Sequence, residues 1–169
     1  MDTPTIETIP QCDYVALCQD VPLGGLGAAV QDSIQDSIQR VAKYLSATGL
    51  EPSGVPFVRY IFINMMEKLT IEAGFPLEKC HSPSDRSLVA GVIPSGDYVC
   101  SRHVGPPESL VTANAELQQW VRSNGIALDV RVEGRGEYWA GRFEHLLLGP
   151  ESERDPKEWV TQLAYRMAG

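Results

Sequence analysis

Apolar positions along the chain follow two periods, and the switches between them lay out its elements. From Ala28 onward Val30, Ile34, Ile38, Val41 and Leu45 step by four or three, placing one stripe on a helix whose other face carries Gln31, Asp32, Gln35, Asp36 and Gln39. Gly49 behind Ala47-Thr48 supplies its stop. The same period returns over Glu108–Asn124, where Leu110, Ala113, Leu117, Trp120 and Val121 form the stripe and Gly125 the stop. Elsewhere the period is that of a strand. Strands are predicted at Asp13–Pro22, Phe57–Ile63, Leu69–Leu77, Leu88–Ile93, Asp97–Val104, along the whole of Glu137–Pro150, and at Val160–Met167. In Phe57–Ile63 the alternation sets Phe57, Arg59, Ile61 and Ile63 on one side and Val58, Tyr60 and Phe62 on the other, with Leu69–Leu77 as the hairpin partner. Lys79–Arg86 is a polar loop, and Pro94-Ser95-Gly96 is a turn.

The order of elements repeats. Asp97-Tyr98-Val99 echoes Asp13-Tyr14-Val15, and each is followed by a Gly/Pro break, a helix, a glycine stop and further strand. The expected fold is α+β, a single domain over residues 1–169 made of two β-α-β-β repeats at about 11–78 and 87–168. Paired about a pseudo-two-fold axis, they would form one antiparallel sheet with both helices on one face and a ligand cleft between the repeats.

Composition narrows the partners. A net charge of −8, from 22 acidic and 14 basic residues, disfavours a nucleic-acid surface, which draws on clustered Lys and Arg. A hydrophobic or cationic small molecule is the better expectation. Met1–Pro10 has no charged end followed by an apolar run, no window is long and apolar enough to span a membrane, and a cytoplasmic protein is expected. Cys12, Cys18, Cys80 and Cys100 match no zinc or disulfide spacing and are expected as small buried residues. His81 beside Cys80 makes no metal site alone, because adjacent side chains diverge. Neither a metal nor a cofactor is implied. The glycines at 24, 25 and 27 suit a tight joint into the first helix and fit no phosphate-loop spacing.

The candidate chemistry centres on Glu144, a lone carboxylate within an aromatic and aliphatic strand. Burying it unpaired costs several kcal/mol, so it is partnered, raised in pKa, or turned toward a cavity. Desolvated among Tyr138, Trp139 and Phe143, it would serve as counter-ion to a lipophilic cation or as general base on a water. The structural alternative is an ion pair with Arg142 or Arg166. Strict alternation sets Tyr138, Arg142 and Glu144 on one face and Trp139 and Phe143 on the other, unless Gly141 marks a bulge that shifts the phase. Phe57 and Tyr60 face opposite sides of their strand, so one of them lines the groove. Trp120 sits in the helix stripe as a core residue. His103 stands in a strand-to-helix turn, where an imidazole bonds nearby groups, and stays outside the catalytic set.

Gly96-Asp97-Tyr98-Val99, His103-Val104-Gly105-Pro106, the helix with Leu117 and Trp120, Gly125, Phe143-Glu144, Leu148-Gly149-Pro150, Asp155-Pro156 and Trp159-Val160-Thr161-Gln162-Leu163 together resemble the gyrase-inhibitor-like effector-binding domains. Val55-Pro56-Phe57-Val58-Arg59-Tyr60 resembles that family's second strand. The resemblance implies the duplicated fold, an aromatic-walled cleft, and an acidic residue at Glu144 facing the ligand. It also implies Tyr60 and Trp159 at the ligand. Leu146 and Gly149 depart from the family's usual Tyr and Asp.

No helix-turn-helix or basic region accompanies these residues, so a regulator with its own DNA-binding module is not expected. The expectation is a stand-alone binder of hydrophobic planar or cationic xenobiotics, with Tyr60, Phe57, Tyr138, Trp139, Phe143, Glu144 and Trp159 at the ligand and no direct nucleic-acid or membrane contact. The alternative is a cofactor-independent hydrolase, resembling the family members that open the cyclopropane ring of DNA-alkylating natural products in detoxification. Glu144 and Tyr138 would then be catalytic. An interaction module acting on gyrase would need a surface contact that the sequence does not display.

Overall fold

The computed structural model describes residues 1–23 and 27–169. The glycine joint expected at Gly24 and Gly25 lies outside the described residues. Among the described residues ten strands form one antiparallel sheet, joined by two α-helices. In chain order these are β1 (Thr5–Ile9), β2 (Cys12–Pro22), α1 (Gly27–Thr48), β3 (Phe57–Asn64), β4 (Lys68–Leu77), β5 (Leu88–Ile93) and β6 (Gly96–Val104). Then follow α2 (Leu110–Ser123), β7 (Val130–Glu133), β8 (Gly136–Trp139), β9 (Arg142–Leu148) and β10 (Val160–Arg166). The strand order is β1-β6-β10-β9-β3-β4-β2-β5, with β8 also laid against β3 and β7 against β8.

Both helices carry the stripes their periodicity required. Val30, Ile34, Ile38, Val41 and Leu45 are buried on α1, and Leu110, Ala113, Leu117 and Val121 on α2, with Trp120 half-buried beside them. Each ends where its glycine permits. Gly49 and Gly125 adopt φ of +72° and +66°, and Leu50 N and Ile126 N donate back to Leu45 O and Val121 O at 2.9 and 3.1 Å. This is the left-handed cap that a side chain at either glycine would strain.

The sheet has two packed faces. Val30, Ile34 and Ile38 of α1 and the buried residues of α2 join Val58, Ile63, Ile71, Val99, Trp139, Leu163 and Tyr165 in one cluster. Tyr14, Phe57, Tyr98, Cys100, Phe143 and Ala164 make another on the opposite face. The duplicated Asp-Tyr-Val segments thus put both tyrosine rings, Tyr14 and Tyr98, into the second cluster.

Two irregularities overturn simple alternation. The register of β3 against β4 shifts between Tyr60 and Phe62, so Ile63 joins Val58 in the first cluster, while Phe62 packs on Tyr138 with ring centroids 4.7 Å apart. Glu137–Pro150 is not one strand. It breaks at Ala140-Gly141, and the phase change brings Trp139 to the side of Glu144 and sends Tyr138 away from it. The break is tight: a Cβ on Gly141 would lie 2.8 Å from Arg166 Cβ and 2.9 Å from the Tyr98 hydroxyl. The short β1 and β7 went unforeseen, because five exposed or half-exposed polar-apolar residues and a four-residue hairpin arm carry little apolar period. Cys18 and Cys80 are exposed and only Cys100 is fully buried, a correction to the expectation that all four would pack inside. His103 bonds the Ser109 hydroxyl at 2.6 Å across the turn.

Candidate functional site

Strand β9 meets β3 along a short seam, with Val58 opposite Glu144, Phe57 opposite His145 and Arg59 opposite Phe143. Pleating therefore sends Val58, Tyr60 and Glu144 to one face and Phe57, Arg59 and Phe143 to the other. The Glu144 side chain is 4% exposed. One carboxylate oxygen accepts from Asn114 Nδ2 at 3.1 Å and the other from the Tyr60 hydroxyl at 3.0 Å. Burial raises its pKa above the usual carboxylate range, partly offset by Asn114, by the nearby Arg142 charge and by Tyr60. Neither arginine foreseen as a partner forms an ion pair with it. Arg166 binds Asp129 and the Ser95 carbonyl, and Arg142 reaches Glu144 only through Asn114.

Asn114 is the hub that the sequence reading missed. Its Nδ2 donates to Leu110 O at 2.9 Å as well as to Glu144, and its Oδ1 accepts from Arg142 Nη2 at 3.3 Å and from the Tyr165 hydroxyl. An asparagine next to Ala113 on the border of an apolar helix stripe was its only signal, since Asn is a poor helix former and gains most when its amide has a partner. Tyr165 was likewise hidden inside the predicted strand Val160–Met167, with nothing to single it out. Burial pushes its hydroxyl up to about 12.

Glu144 opens onto a narrow cleft of about 20 Å³. Its floor is Val58, Glu144, Leu146, Leu148 and Thr161; one wall is Gln31, Ile34 and Gln35 of α1, and the other Gly105, Pro107 and Leu110. Gly149, Pro150 and Trp159 close one end. Trp159 is fixed by its indole N–H donating to Glu153 O at 2.9 Å.

The cleft thus brings together two of the sequence-singled residues, Glu144 and Trp159, with Tyr60 hydrogen-bonded to Glu144 from beneath. Trp139 is buried one layer further in, against Arg142 and Tyr165. The others lie elsewhere. Phe57 and Phe143 are buried in the opposite face, and Tyr138 is 38% exposed, held between the tilted Phe62 ring and the Arg131 guanidinium. Tyr138 and Trp139 border a separate, shallow depression of about 300 Å³ with Ile61, Asp129 and Arg131, open to solvent and without Glu144. The expectation that Tyr138, Phe57 and Phe143 would wall the same cleft as Glu144 fails on the break at Gly141 and on strand pleating.

The model of the GyrI-like small-molecule-binding domain matches residues 2–163. The chain belongs to this family. No curated protein matches the sequence of this GyrI-like domain. Among solved structures, it superimposes on the C-terminal domain of EcmrR with a TM-score of 0.74 at 20% identity, covering 98% of this chain and 97% of that one. Against the EcmrR chain in its DNA complex the TM-score is 0.75 at 20% identity, and this chain, 98% covered, spans 57% of that one. SAV2435 bound to tetraphenylphosphonium gives 0.60 at 12% identity over 99% and 95% of the two chains. A hydrolase from Listeria innocua encoded by lin2189 gives 0.60 at 14% identity over 98% and 91%. At these identities the likeness is one of fold.

Among the described residues no three His, Cys, Asp or Glu side chains are grouped to hold a metal, and no helix is long and apolar enough to cross a membrane.

Proposed function

We propose that this GyrI-like domain binds a hydrophobic planar or cationic small molecule in the Glu144 cleft, between two related units formed by β2-α1-β3-β4 and β6-α2-β9-β10. The observation that carries this reading is a desolvated carboxylate, hydrogen-bonded from two sides, whose remaining lone pairs border an apolar gap between α1 and α2. A cleft of about 20 Å³ holds one water, whereas ligand pockets run to roughly 300–1,000 Å³. Ligand entry therefore requires α1 and the Leu146–Pro150 stretch to separate. The ligand class follows from the lining, since Val58, Ile34, Leu110, Leu146 and Trp159 present apolar area and Glu144 the sole carboxylate among the cleft residues. Relatives with the same fold include one bound to the lipophilic cation tetraphenylphosphonium.

Titration of a panel of planar lipophilic dyes, followed by tryptophan quenching, tests the reading. Wild type is expected to bind some of them, and Leu146→Trp, which fills the gap, to lose them while remaining folded. Undiminished binding in that variant would remove the cleft from consideration.

One observation favours a hydrolytic second reading: the gap is the size of a water and touches a carboxylate whose pKa burial has raised toward that of a general base. Glu144 would take the proton of that water as its oxygen attacks an electrophilic carbon of a strained ring, with the Tyr60 hydroxyl steadying the carboxylate. The ring bond to that carbon breaks, its electron pair stays on the departing ring atom, and the proton held by Glu144 returns to the product. Tyr60 would fill the part that Tyr138 was expected to play. A product one water heavier, formed by wild type and absent with Glu144→Gln, would establish turnover; unchanged compounds would leave binding alone.

A further inference from the structure

Arg142 is a buried cation that the fold has already enclosed in aromatic rings. Its guanidinium carbon lies 4.8 Å from the centroid of Trp139, 4.8 Å from that of Tyr165 and 5.4 Å from that of Tyr60. These are cation–π distances. The residue is 9% exposed, Nη2 donates to Asn114 Oδ1, and Nε is buried with no partner among the described residues. A guanidinium stays protonated in a protein. Asn114 thus stands between a permanent positive charge and Glu144, holding one with its oxygen and the other with its amide.

This arrangement bears on which ligand the cleft prefers. A lipophilic cation gains from a free carboxylate and from open ring faces. Here the carboxylate's charge is offset from behind by Arg142. The rings of Tyr60, Trp139 and Tyr165 hold that cation rather than a ligand's, and among the described residues Trp159 alone supplies an aromatic ring to the cleft lining. A carboxylate that accepts two hydrogen bonds still has acceptor capacity for a ligand N–H or O–H. We infer that the cleft selects an uncharged planar ligand bearing a hydrogen-bond donor over a lipophilic cation, and that Arg142 is the residue that sets this selectivity. The inference rests on the cleft being the binding site, as proposed above.

The test uses two probes of one shape in mildly alkaline buffer: acridone, neutral with an N–H, and N-methylacridinium, a permanent cation. Fluorescence titration of wild type is expected to favour acridone by about ten-fold or more. Arg142→Met keeps the bulk and removes the charge, and is expected to turn the preference toward the cation by about ten-fold. Glu144→Gln leaves Arg142 uncompensated and is expected to gain affinity for anthracene-9-carboxylate while losing none of its discrimination against N-methylacridinium. Wild type favouring the cation, or a folded Arg142→Met with the wild-type ratio, would overturn the inference while leaving the binding site intact. Should Arg142→Met fail to fold, the Glu144→Gln titrations decide alone. If neither probe binds wild type nor quenches Trp159, the cleft reading itself fails and the selectivity falls with it.

Discussion

The two faces of the sheet hold the same three residue types in contact, yet they do different work. On one face Tyr60 donates to Glu144, with Arg142 behind them; on the other the Tyr14 hydroxyl donates to Glu72 and accepts from Arg59 Nη1 at 2.7 Å. The second trio is closed. Arg59 also donates to Ala140 O at 2.9 Å, stitching β3 to the break before β9, and burial with the adjacent Glu72 drives the Tyr14 hydroxyl pKa well above that of free tyrosine. The first trio is open, because its arginine is spent on rings and Asn114 and its carboxylate borders a gap. A buried Tyr–Glu–Arg set is therefore a staple or a site according to where the arginine goes, not according to composition.

Substitutions that break the comparison rank accordingly. The largest effect is expected from Arg59→Met, which removes the charged donor's hydrogen bonds to Tyr14, Val92 O and Ala140 O and should cost about 3 kcal/mol in urea denaturation, with acridone affinity unchanged. A stability loss of under 1 kcal/mol would make the staple ornamental.

Next comes His145 on the Phe57 face, packed parallel to Phe143 with centroids 5.7 Å apart. Burial lowers its pKa to about 4, against roughly 6.5 in an unfolded chain. The native state keeps it neutral, so its contribution is whole above the unfolded value and is lost as pH falls through the folded one. Between those values wild type should lose on the order of 2 kcal/mol that His145→Gln does not lose. Parallel acid limbs for the two proteins would refute this.

A smaller change is expected on the Glu144 face. Tyr60→Phe removes one hydrogen bond worth about 1 kcal/mol and, since that bond lowers the Glu144 pKa, lifts it further. The pH midpoint of ligand binding should move upward in that variant, and a midpoint that stays put would show that Tyr60 does not govern the carboxylate.

The subtlest effect is a slope. Because Glu144 holds its proton more tightly when folded, its protonated form contributes stability below the unfolded carboxylate value of about 4.3, and that contribution is lost as pH rises through the raised folded value. Relative to Glu144→Gln, wild type should weaken across that window. A difference that does not vary with pH would mean the carboxyl is not desolvated.

Much of this was legible in the chain, for definite reasons. The stripes of α1 and α2 and their glycine stops followed from period and from the cost of positive φ, and both appear as expected except that Trp120 is only half-buried. Glu144 stood out because a carboxylate inside an apolar strand demands an explanation. What could not be read was phase. A bulge at Ile61 and a break at Gly141 each shift alternation by one residue; Gly141 marked the second as an option without deciding it, and nothing local marked the first. Those single steps exchanged Trp139 for Tyr138 beside Glu144. Asn114 and Tyr165 were invisible for another reason: their role exists only where α2 crosses β9 and β10, a contact between segments 28 to 51 residues apart.

The seam at Val58 and Glu144 has a mechanical side. Three residue pairs join β3 to β9 and two more join β3 to β8, against ten between β2 and β4 and seven between β6 and β10. The line that carries the carboxylate is thus the more thinly paired one. Two blades joined along a thinly paired crease need break few hydrogen bonds to part, and a molecule wedged between them would hold the crease together. The backbone amides along that crease should then exchange with deuterium more slowly when the cleft is filled, reporting occupancy from the sheet itself rather than from the ligand.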